Sequence, residues 1–350
     1  MEIQFFAHHL YYLPQFLAVA RACPPDWTIS FALSSLATGD EMAIVRAEIE
    51  RHGWRLVTGE QLRLGDHRPQ VLIIGQSRGA EVLAGPDTTV VLLYHGIGVK
   101  RVYYADTSSR VDLRFVESDF RRDQCLAASP ETETTAVGFA KLDPLLSDKP
   151  PTDYPLPTGS GPRILYAPTF YPGSIEILAG LIPIWPADWQ IVIKPHQFTY
   201  TNPYYHYQVR LLKRLVHESP NVTLLPLAAY NVISAYHWAD VLVSEASSTI
   251  IEFTALDKPI VVCDELHLRL HHRLWRSRFF HRRMDTDLID MLDFAHHAVK
   301  GVDVASQIAG ALAGPETLEN QRRTARDRFL GPTDGHAAQR IVQALQARVA

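Results

Sequence analysis

Three short segments combine proton carriers or anion-holding groups with glycine, proline or serine, and each directly follows an apolar run. The first is Tyr94-His95-Gly96-Ile97-Gly98-Val99-Lys100, after Thr89–Leu93. An imidazole titrates near neutral pH, so His95 suits the removal of a proton from an attacking hydroxyl. Gly96 and Gly98 allow backbone to approach a ligand closely, and Lys100 is placed to hold a phosphate. The second segment is Ile193-Lys194-Pro195-His196-Gln197, where Pro195 stiffens the loop and lets Lys194 and His196 face one anionic leaving group. In the third, Asp240–Ser244 runs into Glu245-Ala246-Ser247-Ser248-Thr249 and then an apolar helical pattern. Hydroxyls and backbone N–H groups at a helix start make an anion site. Each segment also has a plain use: a turn with a bonded histidine, a solvated loop, ordinary capping. Two adjacent serines and a threonine exceed what capping needs, which favours phosphate.

Other residues compete for attention. Gly75-Gln76-Ser77-Arg78-Gly79 matches the G-x-S-x-G elbow of serine hydrolases. Asp257 or Asp264 with the later His267 would have to complete a triad around Ser77, and the alternative is a turn lining a ligand site. His8 and His9, after the first apolar run, are acceptor-side candidates alongside Lys100. The stretch 267–283, HLRLHHRLWRSRFFHRR, holds six arginines and four histidines among leucines and aromatics. It reads as peripheral membrane or anionic-acceptor contact, or as a surface helix with snorkelling arginines.

The elements that must carry these groups alternate. Glu2–Phe6, Trp27–Leu33, Val71–Ile74, Thr89–Tyr94 and Leu113–Val116 read as strands, with helices expected over Leu10–Arg21 and Asp40–His52. Leu145–Pro162 then brings five prolines and two glycines, a linker composition. Beyond it Arg163–Ala167, Gln190–Ile193, Val222–Leu225, Val241–Ser244 and Ile260–Cys263 restart the rhythm. Short β-branched runs separated by helices imply parallel βαβ units. The expected organisation is an N-terminal Rossmann-like domain over 1–150, a linker over 151–162, a second Rossmann-like domain over 163–330 and a closing helix over 331–350. Ligands on such sheets bind beyond the carboxyl ends of the strands, where the three segments fall.

Composition narrows the classes. Of 350 residues, 47% are hydrophobic and 21% charged, a globular composition and not a disordered or fibrous one. A formal net charge of -4 argues against a nucleic-acid binder. Cys23, Cys125 and Cys263 form no CxxC pair, so no structural zinc is expected. No signal peptide or membrane-spanning run is recognisable, which points to the cytoplasm, with the inner membrane face open as a docking surface.

Together the segments resemble the CDP-glycerol glycerophosphotransferase family. The phrases that carry the likeness are residues 91–100, 137–145 (VGFAKLDPL), 164–170, 193–196, 240–248 and 257–260, closed by Phe329–Gly335 with its Asp-Gly turn, all in family order. The resemblance implies a GT-B-type α/β fold, two facing Rossmann-like domains with an interdomain cleft, the acceptor on the first domain and the nucleotide donor on the second. It also implies transfer of glycerol phosphate, or a related polyol phosphate, from a CDP-linked donor to a hydroxyl of a glycan or polyol-phosphate acceptor, with release of CMP. His95 then matches the family's base, Lys194 and His196 its donor-diphosphate residues, and Ser247 and Ser248 its phosphate-binding serines. Two positions depart from the pattern: Glu245-Ala246 replaces the usual Asp-Tyr, and Tyr94 stands where tryptophan is common. Breaking a diphosphate needs positioning and charge neutralisation, so neither cofactor nor essential metal is expected. The competing readings are a GT-B glycosyltransferase using a CMP-linked acid sugar, a serine hydrolase using Ser77, and a binding protein that has lost turnover.

Overall fold

The computed structural model describes residues 1–58, 61, 68–98, 100, 102–106, 108–274 and 286–349. The chain forms two units. One is built from residues 1–97, 102–148 and the segment from 327 onward; the other comprises 98–101 and 149–326.

The first unit holds a seven-stranded sheet of order β3-β2-β1-β4-β5-β6-β7. Its strands are β1 (Glu2–Ala7), β2 (Thr28–Leu33), β3 (Arg55–Thr58), β4 (Val71–Ile74), β5 (Thr89–Leu93), β6 (Leu113–Val116) and β7 (Glu133–Ala136), all parallel. β4 is buried along its whole length, and β5 along all but its first residue. That explains their unbroken apolar sequences, because each fully buried valine or leucine contributes about 1.5–3 kcal/mol. The helix expected from Leu10 begins instead at Leu13, after a 3-10 turn over Leu10–Tyr12. Pro14 has no N–H to donate and therefore belongs in the first turn of a helix.

The second unit holds β8 (Arg163–Tyr166), β9 (Gln190–Ile193), β10 (Val222–Leu224), β11 (Val241–Ser244), β12 (Ile260–Cys263) and β13 (His296–Ala298) in the parallel order β10-β9-β8-β11-β12-β13. In both sheets the chain runs outward from a central strand, then returns to that strand's other side. This is the doubly wound plan, and it leaves a crevice at the carboxyl ends where the direction reverses. The reversal lies between β1 and β4 in the first unit and between β8 and β11 in the second.

The final helix, Ala337–Val349, belongs to the first unit. The Asp143 carboxylate accepts the N–H groups of Ala337 and Ala338 at 3.1 and 2.7 Å, satisfying two donors at that helix start. Gly138 has φ of 91°, and a Cβ there would come within 3.0 Å of the Ala337 Cβ and the Pro332 carbonyl oxygen. The VGFAKLD phrase therefore seats the last helix. Among the described residues no helix is long and apolar enough to cross a membrane.

Candidate active site

Unit one gathers its chemistry around the β1/β4 reversal and the end of β5. His95 stands two residues past β5, half-buried, with the rings of Tyr11 and Tyr12 at 4.4 and 4.3 Å and that of Tyr103 at 6.4 Å. Gly75, ending β4, makes this possible: a Cβ there would fall 1.9 Å from the Tyr12 ring.

His8 and His9, adjacent in sequence, have different environments. His8 is 7% exposed and packs edge-on against Phe6. Burial, aided by His9 and Arg78, pushes its pKa down to about 4, so it is neutral at physiological pH. His9 lies on the more open side, with Nδ1 3.4 Å from the Glu41 carboxylate. Glu41 also accepts from the N–H groups of Leu10 and Thr38 at 3.0 and 2.9 Å. Burial alone would raise its pKa, but the bonds from His9, Thr38 and Leu10 hold it below the ordinary value. Thr38 and Glu41 form a capping box at the start of the helix Gly39–Arg51, a Thr-x-x-Glu signal readable in the sequence.

Ser77 follows β4 and is 5% exposed. Its N–H donates to Asp106 at 2.9 Å, and its hydroxyl donates to the same carboxylate. The Ser77 hydroxyl thus donates to a carboxylate, a much weaker base than the imidazole that activates a hydrolase serine.

In unit two, the reversal between β8 and β11 brings together the serine segment and the loop Ala167–Ser174. Ser247 is the N-cap of the helix Ser248–Phe253, yet its side chain makes no capping bond. Instead Ser244, Ser247 and Thr249 bond one another at 2.7–3.1 Å, and Ser244 also donates to the Ala167 carbonyl. The hydroxyls are held in a cluster at the mouth of a helix N-terminus, where partial positive charge favours an anion. Ser248 occupies the first helical position. Gly98, with φ of 135°, lies against it: a Cβ on Gly98 would sit 3.5 Å from the Ser248 N and Cα. Lys100, on the same short segment, is exposed.

Glu245 points away from this mouth. It is 2% exposed and accepts from Thr169 N–H, Ser174 N–H and the Ser174 hydroxyl. Burial raises its pKa against the pull of those bonds. It thus clamps the Ala167–Ser174 loop.

On the other side of that loop, Lys194 and His196 follow β9. His196 Nδ1 accepts the N–H of Phe198 at 3.1 Å, which places the ring proton of the neutral imidazole on Nε2. Phe170 and Phe198 pack the ring at 4.7 and 5.1 Å. Lys194 Nζ lies 3.4 Å from the Pro195 carbonyl.

Of the basic stretch, residues 275–283 lie outside the described residues. Its first part is tied to the same loop. His267 N–H donates to Gly173 at 2.8 Å, Tyr171 Oη meets His272 Nδ1 at 2.6 Å, and the Arg269 guanidinium lies over the Tyr171 and Tyr204 rings at 4.7 and 4.5 Å.

Comparison with known proteins identifies the family and the fold. The family model described as CDP-Glycerol:Poly(glycerophosphate) glycerophosphotransferase matches residues 70–347. The wall teichoic acid polymerase TagF superposes with a TM-score of 0.70 at 14% identity, covering 99% of this chain and 88% of that one. A TagF variant soaked with CDPG gives 0.68 at 12% identity, covering 99% and 89%. The UDP-GlcNAc 2-epimerase of Neisseria meningitidis, bound to UDP-GlcNAc, gives 0.58 at 13% identity, covering 99% and 100%. No curated relative matches the sequence. The two parallel sheets are those of a GT-B-type fold.

Proposed function

Because this chain belongs to the CDP-glycerol:poly(glycerophosphate) glycerophosphotransferase family, we propose that its two sheet reversals divide the reaction between them. The enzyme transfers glycerol phosphate from CDP-glycerol. In our reading the second unit holds the donor, with Ser247, Ser248 and Thr249 on its phosphates and Lys194 and His196 on the departing CMP. One observation carries this: the N-cap Ser247 does not cap but joins a hydroxyl cluster at the helix mouth, the arrangement suited to an oxyanion. His95, walled by three tyrosine rings at the end of β5, takes the proton of the attacking acceptor hydroxyl.

The acceptor is a glycan or polyol phosphate, with His9 and Lys100 on its side. In the same reading the basic stretch, with Arg269 and Arg273 among its described residues, meets an anionic acceptor or, at the inner membrane face, lipid headgroups. A thermal-shift panel of CDP, CMP, UDP, GDP and ADP, followed by product analysis, tests the donor assignment. Ligand binding to the native state raises stability by mass action, so CDP should give the largest shift. A larger shift with UDP would overturn the assignment.

A further inference from the structure

Gly75–Gly79 and Tyr94, one a motif that fits no hydrolase here and the other a departure from the family pattern, meet at Asp106. We propose that Asp106, gripped by Ser77 and Tyr94, is a positioning residue that fixes His95 for proton transfer. This rests on the reading of His95 as the base.

The Asp106 carboxylate receives the Ser77 N–H at 2.9 Å, the Ser77 hydroxyl, and the Tyr94 hydroxyl. Its backbone carbonyl accepts Arg114 Nη2 at 2.9 Å, from a side chain that is fully buried on β6. One acid thereby joins the ends of β4 and β5 and the middle of β6. Three donors from two neighbouring strands suit an ionised carboxylate, which has only acceptor sites to offer.

The consequence for His95 is direct. Tyr94 precedes it, so tethering the Tyr94 hydroxyl fixes the backbone from which the imidazole projects. Asp106 follows the short helix Val102–Ala105, which carries Tyr103. The Tyr103 ring stands 5.6 Å from that of Tyr94 and 6.4 Å from that of His95. Tyr11 and Tyr12 close the opposite side. Releasing Asp106 frees one wall of this box while leaving the strands in place. The usual tryptophan would bring an indole N–H but no hydroxyl, so Tyr94, Ser77 and Asp106 act in this chain as a matched set.

The experiment compares Tyr94→Phe, Ser77→Ala, their double variant and Asp106→Asn, with Ser77→Thr as the conservative rescue. Measured quantities are kcat, donor Kd, melting temperature, and the rate at which diethyl pyrocarbonate modifies His95, mapped by mass spectrometry. A misplacement of about 1 Å at a reacting group costs up to ~10²-fold. Asp106→Asn should therefore lower kcat by about 10- to 100-fold with donor Kd unchanged, and speed His95 modification several-fold. Tyr94→Phe and Ser77→Ala should each lower kcat, with a less than additive double variant because both act through one carboxylate. Ser77→Thr should restore the wild-type rate. Wild-type kcat and His95 reactivity in Asp106→Asn would overturn the proposal, and so would equal losses of kcat and donor affinity. If His95→Ala keeps full kcat, the base assignment falls, while faster His95 modification in Asp106→Asn still supports the latch.

Discussion

The Glu245 carboxylate receives both the backbone N–H of Ser174, at 2.7 Å, and its hydroxyl, while its other oxygen takes the N–H of Thr169 at 2.8 Å. The acid next to the serine cluster thus holds the loop, 71 residues away in sequence, that faces the cluster across the sheet reversal. Glu245→Ala leaves buried N–H groups without an acceptor, at about 1–3 kcal/mol each. The melting temperature should fall by several degrees, at roughly 2–4 °C per kcal/mol for a unit of this size, and CDP affinity should weaken. Glu245→Gln, which keeps one acceptor, should lose less of both. Calorimetry that finds CDP affinity unchanged in Glu245→Ala would separate the clamp from donor binding.

Ser247→Ala combined with Ser248→Ala should weaken CDP binding without lowering the melting temperature appreciably, because the Ser247 hydroxyl does not cap the helix. The measurement is isothermal titration with CDP. An unchanged Kd would remove the donor from this helix mouth.

His95 and His196 should fail differently. A positioned base typically contributes ~10²–10⁴-fold, so His95→Ala should lower kcat by that factor with donor Kd nearly unchanged. In the proposed reading His196 donates its Nε2–H to the departing phosphate, so His196→Ala should lose both affinity and turnover. Donor affinity lost in His95→Ala with kcat retained at saturation would make His95 a donor ligand. His9, paired with Glu41, would then be the next candidate base.

Gly75→Ala sets a methyl group against the Tyr12 ring. Overpacking of this kind costs about 1–3 kcal/mol. Because the displaced ring also flanks His95, kcat should drop too. In a Tyr12→Ala background the same substitution should cost much less. Equal costs in both backgrounds, measured by denaturant unfolding, would place the strain elsewhere.

Part of the stability should depend on pH through His297. Its Nδ1 meets the Asp264 carboxylate at 3.0 Å and its Nε2 meets the Leu292 carbonyl at 2.9 Å, two acceptors that together favour the imidazolium. The bond to Asp264 raises its pKa above 6.5, against a lesser effect of burial. A raised folded-state pKa gives stability that is fully present below the unfolded value, near 6.5, and lost as pH rises through the folded value. Unfolding midpoints should fall as the pH rises above 6.5, and His297→Gln should flatten that dependence. Half-exposure of both side chains keeps the effect small.

Among the described residues, ten of the thirteen strands are legible in the sequence because they are short segments dominated by apolar residues. The three that are not, β3 (Arg55–Thr58), β7 (Glu133–Ala136) and β13 (His296–Ala298), lie at sheet edges, where one side needs no apolar partner and no such run forms. The site follows the same division. His95, His196 and Ser247 are visible because they sit on local strand-end motifs. Asp106 is invisible from Ser77, 29 positions away, because only the sheet order brings β4, β5 and β6 together. His8 carries the same local signal as His9, and only burial separates them.

The seat that Asp143 provides for Ala337 and Ala338 has a temporal consequence. The first unit's seven strands are synthesised before residue 149, yet the helix that closes it is synthesised after the second unit, nearly all of which is a continuous stretch, 149–326. A nascent chain stopped short of residue 337 therefore holds a second unit with its full complement of strands and a first unit with its helix seat empty. Domains fold as units during synthesis, so this enzyme should finish assembly in reverse order. The first unit should therefore reach its final form only once residues 337 and 338 dock on Asp143.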